Sequence, residues 1–326
     1  MAGPEDIEKF WAWFAEADER LDAALRDPEG RGTAIDEVRF RVGKVRLAGD
    51  LLTAPDGRHL IIGSAANDRD FRLVAAHWLL AAPQDHPRFA FATHHPAEPI
   101  DRLMASTLSG KPPVRIADLR FTARWRRTAD RADITVWVPP DHTDAHAKRV
   151  ASTVLHSALG ELEADAWLGE TKLVSKEPVG AVDLAALLGQ LAPEIEARTE
   201  PRWEKYRYEK QGAPTLTVQI RQPLQPERHP FLDTCIEIAT LLINDDPEEP
   251  GRMREQLMDD IPTDVLLAGA ILSAGRQNLL LYANGRSPTI DVLRERAAML
   301  GSEIRAAYDP DWARIKRYQQ IDPAAG

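Results

Sequence analysis

The segment His94-His95-Pro96-Ala97-Glu98 holds the side chains of this sequence that are best suited to chemistry. Two imidazoles and a carboxylate follow a predicted strand, and such groups bind zinc or act as general bases. Adjacent residues at a strand end point to opposite sides, so His94 and His95 would rarely reach one ion. We therefore predict no catalytic residue, no bound metal and no cofactor, and keep His94, His95 and Glu98 as the metal-site residues to test first.

Other reaction motifs are missing from the sequence. Ser109-Gly110-Lys111 is followed by Pro112 and lacks the upstream glycine of a phosphate-binding loop. Neither a Gly-x-Gly-x-x-Gly segment after a strand nor a Gly-x-Ser-x-Gly nucleophile turn occurs. The single cysteine, Cys235, lies in an apolar strand, so the chain has no internal disulfide and no cysteine-rich zinc site.

The first predicted helix, from Ile7 to Leu25, is unusually aromatic. Phe10, Trp11, Trp13 and Phe14 span more than half of its circumference, whereas a helix with one buried side needs only a stripe. Either the helix is sandwiched between two domains, which we favour, or Trp11 lies on an exposed patch for a partner or a second subunit. Trp11 is accordingly the candidate partner-binding residue, and the oligomeric state stays open.

Charge and length limit the class of protein. The chain has 326 residues, about two domains' worth, with 41 Lys and Arg against 51 Asp and Glu. A net charge of −10 without a basic half argues against nucleic acid and anionic membrane surfaces, and suits a protein partner. The one basic cluster that contains an aromatic residue is Arg124-Trp125-Arg126-Arg127. Strand alternation predicts that Trp125 faces the core, where it cannot stack on a nucleobase.

A membrane or secreted location is not expected. The longest apolar runs, Val74 to Ala82 and Val265 to Ala274, fall well short of the roughly 20 residues that a membrane helix needs. The acidic opening, Met-Ala-Gly-Pro-Glu-Asp, does not resemble a secretory signal. We expect a cytoplasmic protein.

The order of elements predicts an α+β protein of two domains. Residues 1–198 read as a long helix followed by two ββαβ units, and residues 199–326 as a hairpin followed by βαββαβ from Phe231. With right-handed crossovers, βαββαβ closes into an antiparallel sheet with both helices on one face, the ferredoxin-like arrangement. We place the boundary in the polar stretch from Arg198 to Pro201.

The C-terminal third resembles a known family. Trp203-Glu204-Lys205-Tyr206, the strand from Thr215 to Arg221, and Tyr308-Asp309-Pro310-Asp311-Trp312 before Tyr318 are similar to the bacterial domain of unknown function 695. The ferredoxin-like pattern is also distantly similar to the regulator of ribonuclease activity B, an acidic protein that binds a nuclease. The resemblance implies a non-catalytic binding role, and it supplies no catalytic residues.

Two functions from different classes follow. The sequence favours a cytosolic, non-catalytic module that binds or regulates another protein. The alternative is an enzyme or a small-molecule binder that uses a cleft between the two domains.

Overall fold

The computed structural model describes residues 4–66, 68–109, 113–126, 129–139, 144–209, 212, 214–242, 248–262 and 264–320. They form an α+β protein, as predicted. The helices are α1 (Pro4–Arg26), α2 (Arg31–Lys44), α3 (Arg69–Leu80), α4 (Ile100–Ala105), α5 (Asp144–Leu159), α6 (Glu161–Trp167), α7 (Leu184–Thr199), α8 (Glu249–Met258), α9 (Thr289–Met299) and α10 (Ala313–Lys316). Short 3₁₀ turns cover Ile116–Asp118, Pro226–Arg228 and Arg317–Gln320.

The predicted strands occur in their predicted order along the chain, and two further strands of two residues each lie between the two ββαβ segments. They are β1 (Ala48–Thr53), β2 (His59–Ser64), β3 (Phe89–Ala92), β4 (Thr107–Leu108), β5 (Val114–Arg115), β6 (Arg120–Arg126), β7 (Arg131–Trp137), β8 (Leu168–Val174), β9 (Arg202–Tyr208), β10 (Leu216–Gln222), β11 (Thr234–Leu241), β12 (Val265–Ser273), β13 (Arg276–Ala283) and β14 (Glu303–Tyr308). Within the described ranges, no helix is both long and apolar enough to cross a bilayer.

The chain divides into two compact units. The first comprises residues 1–98 and 155–162, and the second comprises residues 99–154 and 163–326. The predicted boundary between residues 198 and 199 falls near the end of α7, within the second unit. Residues 155–162, which end α5 and begin α6, thus join the first unit although their neighbours in sequence belong to the second.

The first unit contains the first ββαβ segment. β1 and β2 form an antiparallel hairpin, α3 follows, and β3 returns parallel to β2. The apolar positions of α1 recur at helical spacing, so one side of that helix packs onto α2, the sheet and Trp78 of α3 in a single core. Gly49 leaves no room for a side chain, because a Cβ there would lie 2.9 Å from the Cα of Arg39 on α2.

The strands of the second ββαβ segment repeat this topology and belong to the second unit, whereas residues 155–162 of its helical crossover belong to the first. β6 and β7 are antiparallel, and β8 pairs parallel to β7 after α5 and α6. Both three-stranded sheets are therefore mixed, because a strand that returns through a helical crossover lies parallel to the strand before it.

The C-terminal sheet has six strands in the order β14-β11-β13-β12-β10-β9, all antiparallel. Strands β11 to β14 with α8 and α9 have the ferredoxin-like order, and β10 and β9 extend that sheet by a hairpin. Residues Leu257 of α8 and Leu293 of α9 pack into one apolar layer on the sheet. Trp312 and Ile315 of the C-terminal segment belong to a separate apolar cluster with Val218 of β10.

Candidate functional site

His95 lies in the loop after β3, where it meets the start of α6. The His95 amide donates to Glu161 Oε2 at 3.1 Å, and the Glu161 amide donates to the His95 carbonyl at 2.9 Å. Gly160 permits this contact, because it ends α5 with φ of 81° and a Cβ on it would lie 2.9 Å from the amide nitrogen of Ala97. Two segments far apart in sequence are thus fixed to each other in the first unit.

The carboxylate of Glu161 is almost buried, and both of its oxygens have hydrogen-bond partners. Its Oε1 accepts a hydrogen bond from Ser64 Oγ at 2.5 Å, and its Oε2 lies 3.2 Å from His95 Nδ1. Burial raises the pKa of Glu161, but hydrogen bonds from the His95 imidazole, the Ser64 hydroxyl and the His95 amide outweigh it and hold the pKa at about 2. Glu161 is therefore an anion at physiological pH.

The other ring nitrogen of His95 faces a second carboxylate. Nε2 lies 3.4 Å from Asp50 Oδ2 on β1, and the other oxygen of Asp50 accepts a hydrogen bond from Arg39 at 3.0 Å. The hydrogen bond to Glu161 raises the pKa of His95, burial opposes this, and Asp50 adds to the rise. Two carboxylates beside one imidazole favour the imidazolium, the form that donates from both nitrogens.

This arrangement is unsuited to the reactions that its residue types suggest. A nucleophilic serine needs a base that takes its proton, but Ser64 donates to a carboxylate with a pKa of about 2. His95 is a weak general base while both nitrogens carry protons. The group of His95, Glu161, Asp50 and Ser64, which we call the His95 network, instead joins a loop, a helix and two strands by charge-assisted hydrogen bonds.

The other two candidate metal-site residues also have hydrogen-bond partners outside this network. His94 Nδ1 lies 2.8 Å from Thr93 Oγ1. Glu98 is exposed, and its backbone amide donates to the Ser157 carbonyl at 2.7 Å. Among the described residues, no three His, Cys, Asp or Glu side chains are grouped as metal ligands would be.

Trp11 lies within the aromatic cluster of the first unit. It is half-buried, stacks on Trp78 with ring centroids 5.0 Å apart, and meets Phe91 edge to face at 4.9 Å. Its indole N–H donates to the Trp78 carbonyl at 3.1 Å. These contacts explain the wide aromatic face of α1 as core packing in its own unit, and the partner-binding role of Trp11 stays a prediction.

The basic cluster on β6 is largely paired. Arg126 contacts Asp133 at 3.0 Å, and Trp125 packs under the guanidinium of Arg198 with 4.5 Å between Arg198 Cζ and the ring centroid. Arg127 lies outside the described residues. Because Arg198 covers one face of the Trp125 indole, that ring is poorly placed to stack on a base, and we interpret the cluster as a charged sheet surface.

The second unit carries a groove on the helix side of its six-stranded sheet. The groove has a volume of about 620 Å³ and lies where β9 and β10 extend beyond α8. Its lining includes Trp203 and Lys205 of β9, Gln219 of β10, Arg254 and Met258 of α8, and Leu267 of β12. The Trp203 side chain is 47% exposed, which is unusual for an indole beside apolar neighbours. We call this the Trp203 groove.

The residues on which we based the predicted family resemblance lie around this sheet. Trp203-Glu204-Lys205-Tyr206 belongs to β9, and Asp309 and Trp312 connect β14 to α10. The Asp309 carboxylate accepts hydrogen bonds from the Tyr282 hydroxyl and from the amides of Ala313 and Arg314. Trp312 stacks on Tyr282 with ring centroids 4.6 Å apart. The motif that contains Asp309 and Trp312 therefore attaches the C-terminal segment to the sheet.

Three functional residues were not predicted from sequence: Asp50, Ser64 and Glu161. Gly160 before Glu161 is a helix-ending signal within a stretch predicted as one helix from Thr143 to Glu161. No local pattern marks Asp50 or Ser64. Cys235 is buried as predicted, and burial raises the pKa of its thiol to about 11.

Comparison with known proteins returns no matching family model, no matching curated protein and no matching solved structure.

Proposed function

We propose that this protein is a non-catalytic module that binds another protein through the Trp203 groove. The observation that carries the proposal is the exposed indole of Trp203 beside the apolar side chains of Met258 and Leu267. Exposed tryptophans in partly apolar depressions are the residues that most often dominate the binding energy of protein interfaces.

The His95 network supports the non-catalytic part of the proposal. Its imidazole and its carboxylates satisfy one another, so no group of this network is left to take a proton from a substrate. The resemblance to the domain of unknown function 695 and, more distantly, to the regulator of ribonuclease activity B agrees with a binding role.

The test is affinity capture with a matched pair of variants. Wild-type protein is expected to retain one stoichiometric partner from a lysate of its host, and Trp203→Ala is expected to release it. Met299→Ala is the control, because Met299 of α9 is 78% exposed and does not line the groove. Equal retention by all three proteins would exclude the groove, and the absence of any stoichiometric partner would count against the binding role itself.

A further inference from the structure

The open edge of the C-terminal sheet lies beside the Trp203 groove. Among the described strands, β9 pairs only with β10, so one side of its backbone has no strand partner in the sheet. Exposed and half-buried residues alternate along β9, which is typical of a regular strand at a sheet edge. Such an edge can accept an extended segment through main-chain hydrogen bonds.

The groove combines an apolar part and a cationic part. Trp203, Met258 and Leu267 form the apolar part. Lys205 and Arg254 form the cationic part, and Arg254 Nη1 lies 3.4 Å from Gln219 Oε1.

These two cations lack a carboxylate partner within the part of the chain that the structure describes. By contrast, Arg207 on the same strand contacts Glu209 at 2.8 Å, and Glu204 is held by Arg202 at 2.8 Å. The one other acid of the lining, Glu255, belongs to α8 and is exposed. With Glu204 held by Arg202, the cations Lys205 and Arg254 outnumber Glu255 in the lining, and an excess of cations at a binding surface favours carboxylates on the partner.

We propose that the occupant of the groove is an extended acidic segment of the partner protein, which adds a strand to β9. Alternate side chains of an added strand point to the groove side of the sheet. A carboxylate there faces Lys205 and Arg254, and an apolar neighbour packs on Trp203. The inference rests on the proposed function, since it specifies which kind of protein segment the groove binds.

Nucleic acid fits the groove less well. Two cations on a chain of net charge −10 neutralise few phosphates, and binding to nucleic acid depends on many. The experiment below nevertheless includes it as an outcome.

The test uses the full chain and three ten-residue probes: a peptide of alternating Val and Glu, its Val and Lys counterpart, and single-stranded oligothymidine. We expect the acidic peptide to bind, to weaken as salt is raised, and to slow hydrogen exchange of β9 amides. Lys205→Glu with Arg254→Glu should lower the affinity for the acidic peptide at least tenfold and should bind the Lys peptide instead. Arg276→Glu is the matched control, because Arg276 is paired with Glu303 of β14, at the edge of the sheet opposite β9.

Each result decides one question. No binding of the acidic peptide at 1 mM, equal binding of the acidic and Lys peptides, or tighter binding of oligothymidine would overturn the acidic-segment inference. Binding of the acidic peptide without protection of β9 amides would overturn strand addition. These peptide results do not affect the capture experiment. The proposed function is tested separately there, by whether Trp203→Ala releases the partner.

Discussion

Two hydrogen bonds from backbone amides join His95 and Glu161 in opposite directions. The His95 N–H donates to a carboxylate oxygen of Glu161 at 3.1 Å, and the Glu161 N–H donates to the His95 carbonyl at 2.9 Å. The imidazole adds a third contact to the same carboxylate at 3.2 Å. Neutralising either partner therefore weakens the attachment of the loop after β3 to the start of α6.

Replacement of the carboxylate tests how much this attachment contributes to stability. Glu161→Gln keeps the size of the side chain but removes the charge that faces the imidazolium and the Ser64 hydroxyl. We expect the free energy of unfolding to fall by about 1–2 kcal/mol, because the partly exposed His95 imidazole loses a charged hydrogen-bond partner but keeps Asp50 beside it, and solvent screens the loss. Urea unfolding at pH 6 measures this loss.

Glu98→Gln is the control for that measurement. Its side chain is exposed, so the change is expected to cost less than about 0.5 kcal/mol. Similar values for the two variants would show that the Glu161 charge has no stabilising role.

The pH dependence of stability follows from two opposite pKa shifts. The pKa of His95 is raised, chiefly by Glu161. The contribution of His95 to folding stability is therefore complete below its ordinary pKa of 6.5 and is lost as pH rises through the higher pKa of the folded state. The pKa of Glu161 is lowered from 4.5 to about 2, so its contribution is lost as pH falls from 4.5 toward 2. Asp50, which also faces His95, has a lowered pKa because hydrogen bonds from the Leu51 amide and from Arg39 outweigh the effect of burial.

His95→Asn isolates this effect. We expect the stability difference between wild type and the variant to be largest between about pH 4.5 and 6.5 and to shrink at higher pH. His59 and His86, which also face carboxylates, are present in both proteins and cancel in the difference. NMR titration of the His95 ring measures the same shift directly, and a midpoint at or below 6.5 would contradict the role of the two carboxylates.

Some of this architecture is local in origin and could be predicted. The spacing of Phe10, Phe14, Ala17 and Leu21 specifies which side of α1 is buried, and all four are core residues. The hairpins and the βαββαβ order can also be predicted from short stretches of sequence. The strand period of 2 residues, the helix period of 3.6 residues and the turn residues each involve only near neighbours in the chain. The fold class follows from that order.

The His95 network could not be predicted in the same way. His95 is 66 residues from Glu161 and 45 residues from Asp50, so their contact depends on how the elements pack. The Trp203 groove is a similar case. Alternation along β9 puts Trp203 and Lys205 on one side of the strand, but their exposure depends on where α8 lies on the sheet.

Close packing at Gly269 provides a test of the C-terminal sheet. A Cβ on this residue would lie 2.4 Å from Ile315 Cδ1 and 3.2 Å from the Gln219 carbonyl oxygen, next to a register shift between β12 and β13. Gly269→Ala is therefore expected to lower the free energy of unfolding by about 1–3 kcal/mol. Ile315→Val removes the closest atom, so the double variant should lose less than the sum of the single changes.

Gly189→Ala is the matched glycine control. Gly189 lies inside α7, and a Cβ there meets nothing within 4 Å, so alanine should stabilise the protein by about 0.5–1 kcal/mol. If Gly269→Ala behaved like Gly189→Ala, Ile315 would not be packed against the sheet in this way. Thermal unfolding of the variants distinguishes the two results.

The buried contact between Tyr282 and Asp309 fastens the C-terminal segment to the sheet. The tyrosine hydroxyl donates to Asp309 Oδ2 at 2.7 Å, and the same carboxylate accepts the amides of Ala313 and Arg314 at 2.9 and 3.0 Å. Tyr282→Phe removes one of these three hydrogen bonds and should cost about 1 kcal/mol, whereas Asp309→Ala removes all three and should cost clearly more. Because Asp309 begins the turn into α10, its loss should also release the segment around Trp312, whose indole donates to the Leu232 carbonyl at 2.8 Å. Hydrogen exchange at residues 312–318 is expected to rise strongly in Asp309→Ala and little in Tyr282→Phe, and equal exchange in the two variants would mean that the apolar contacts of Trp312 alone hold the segment.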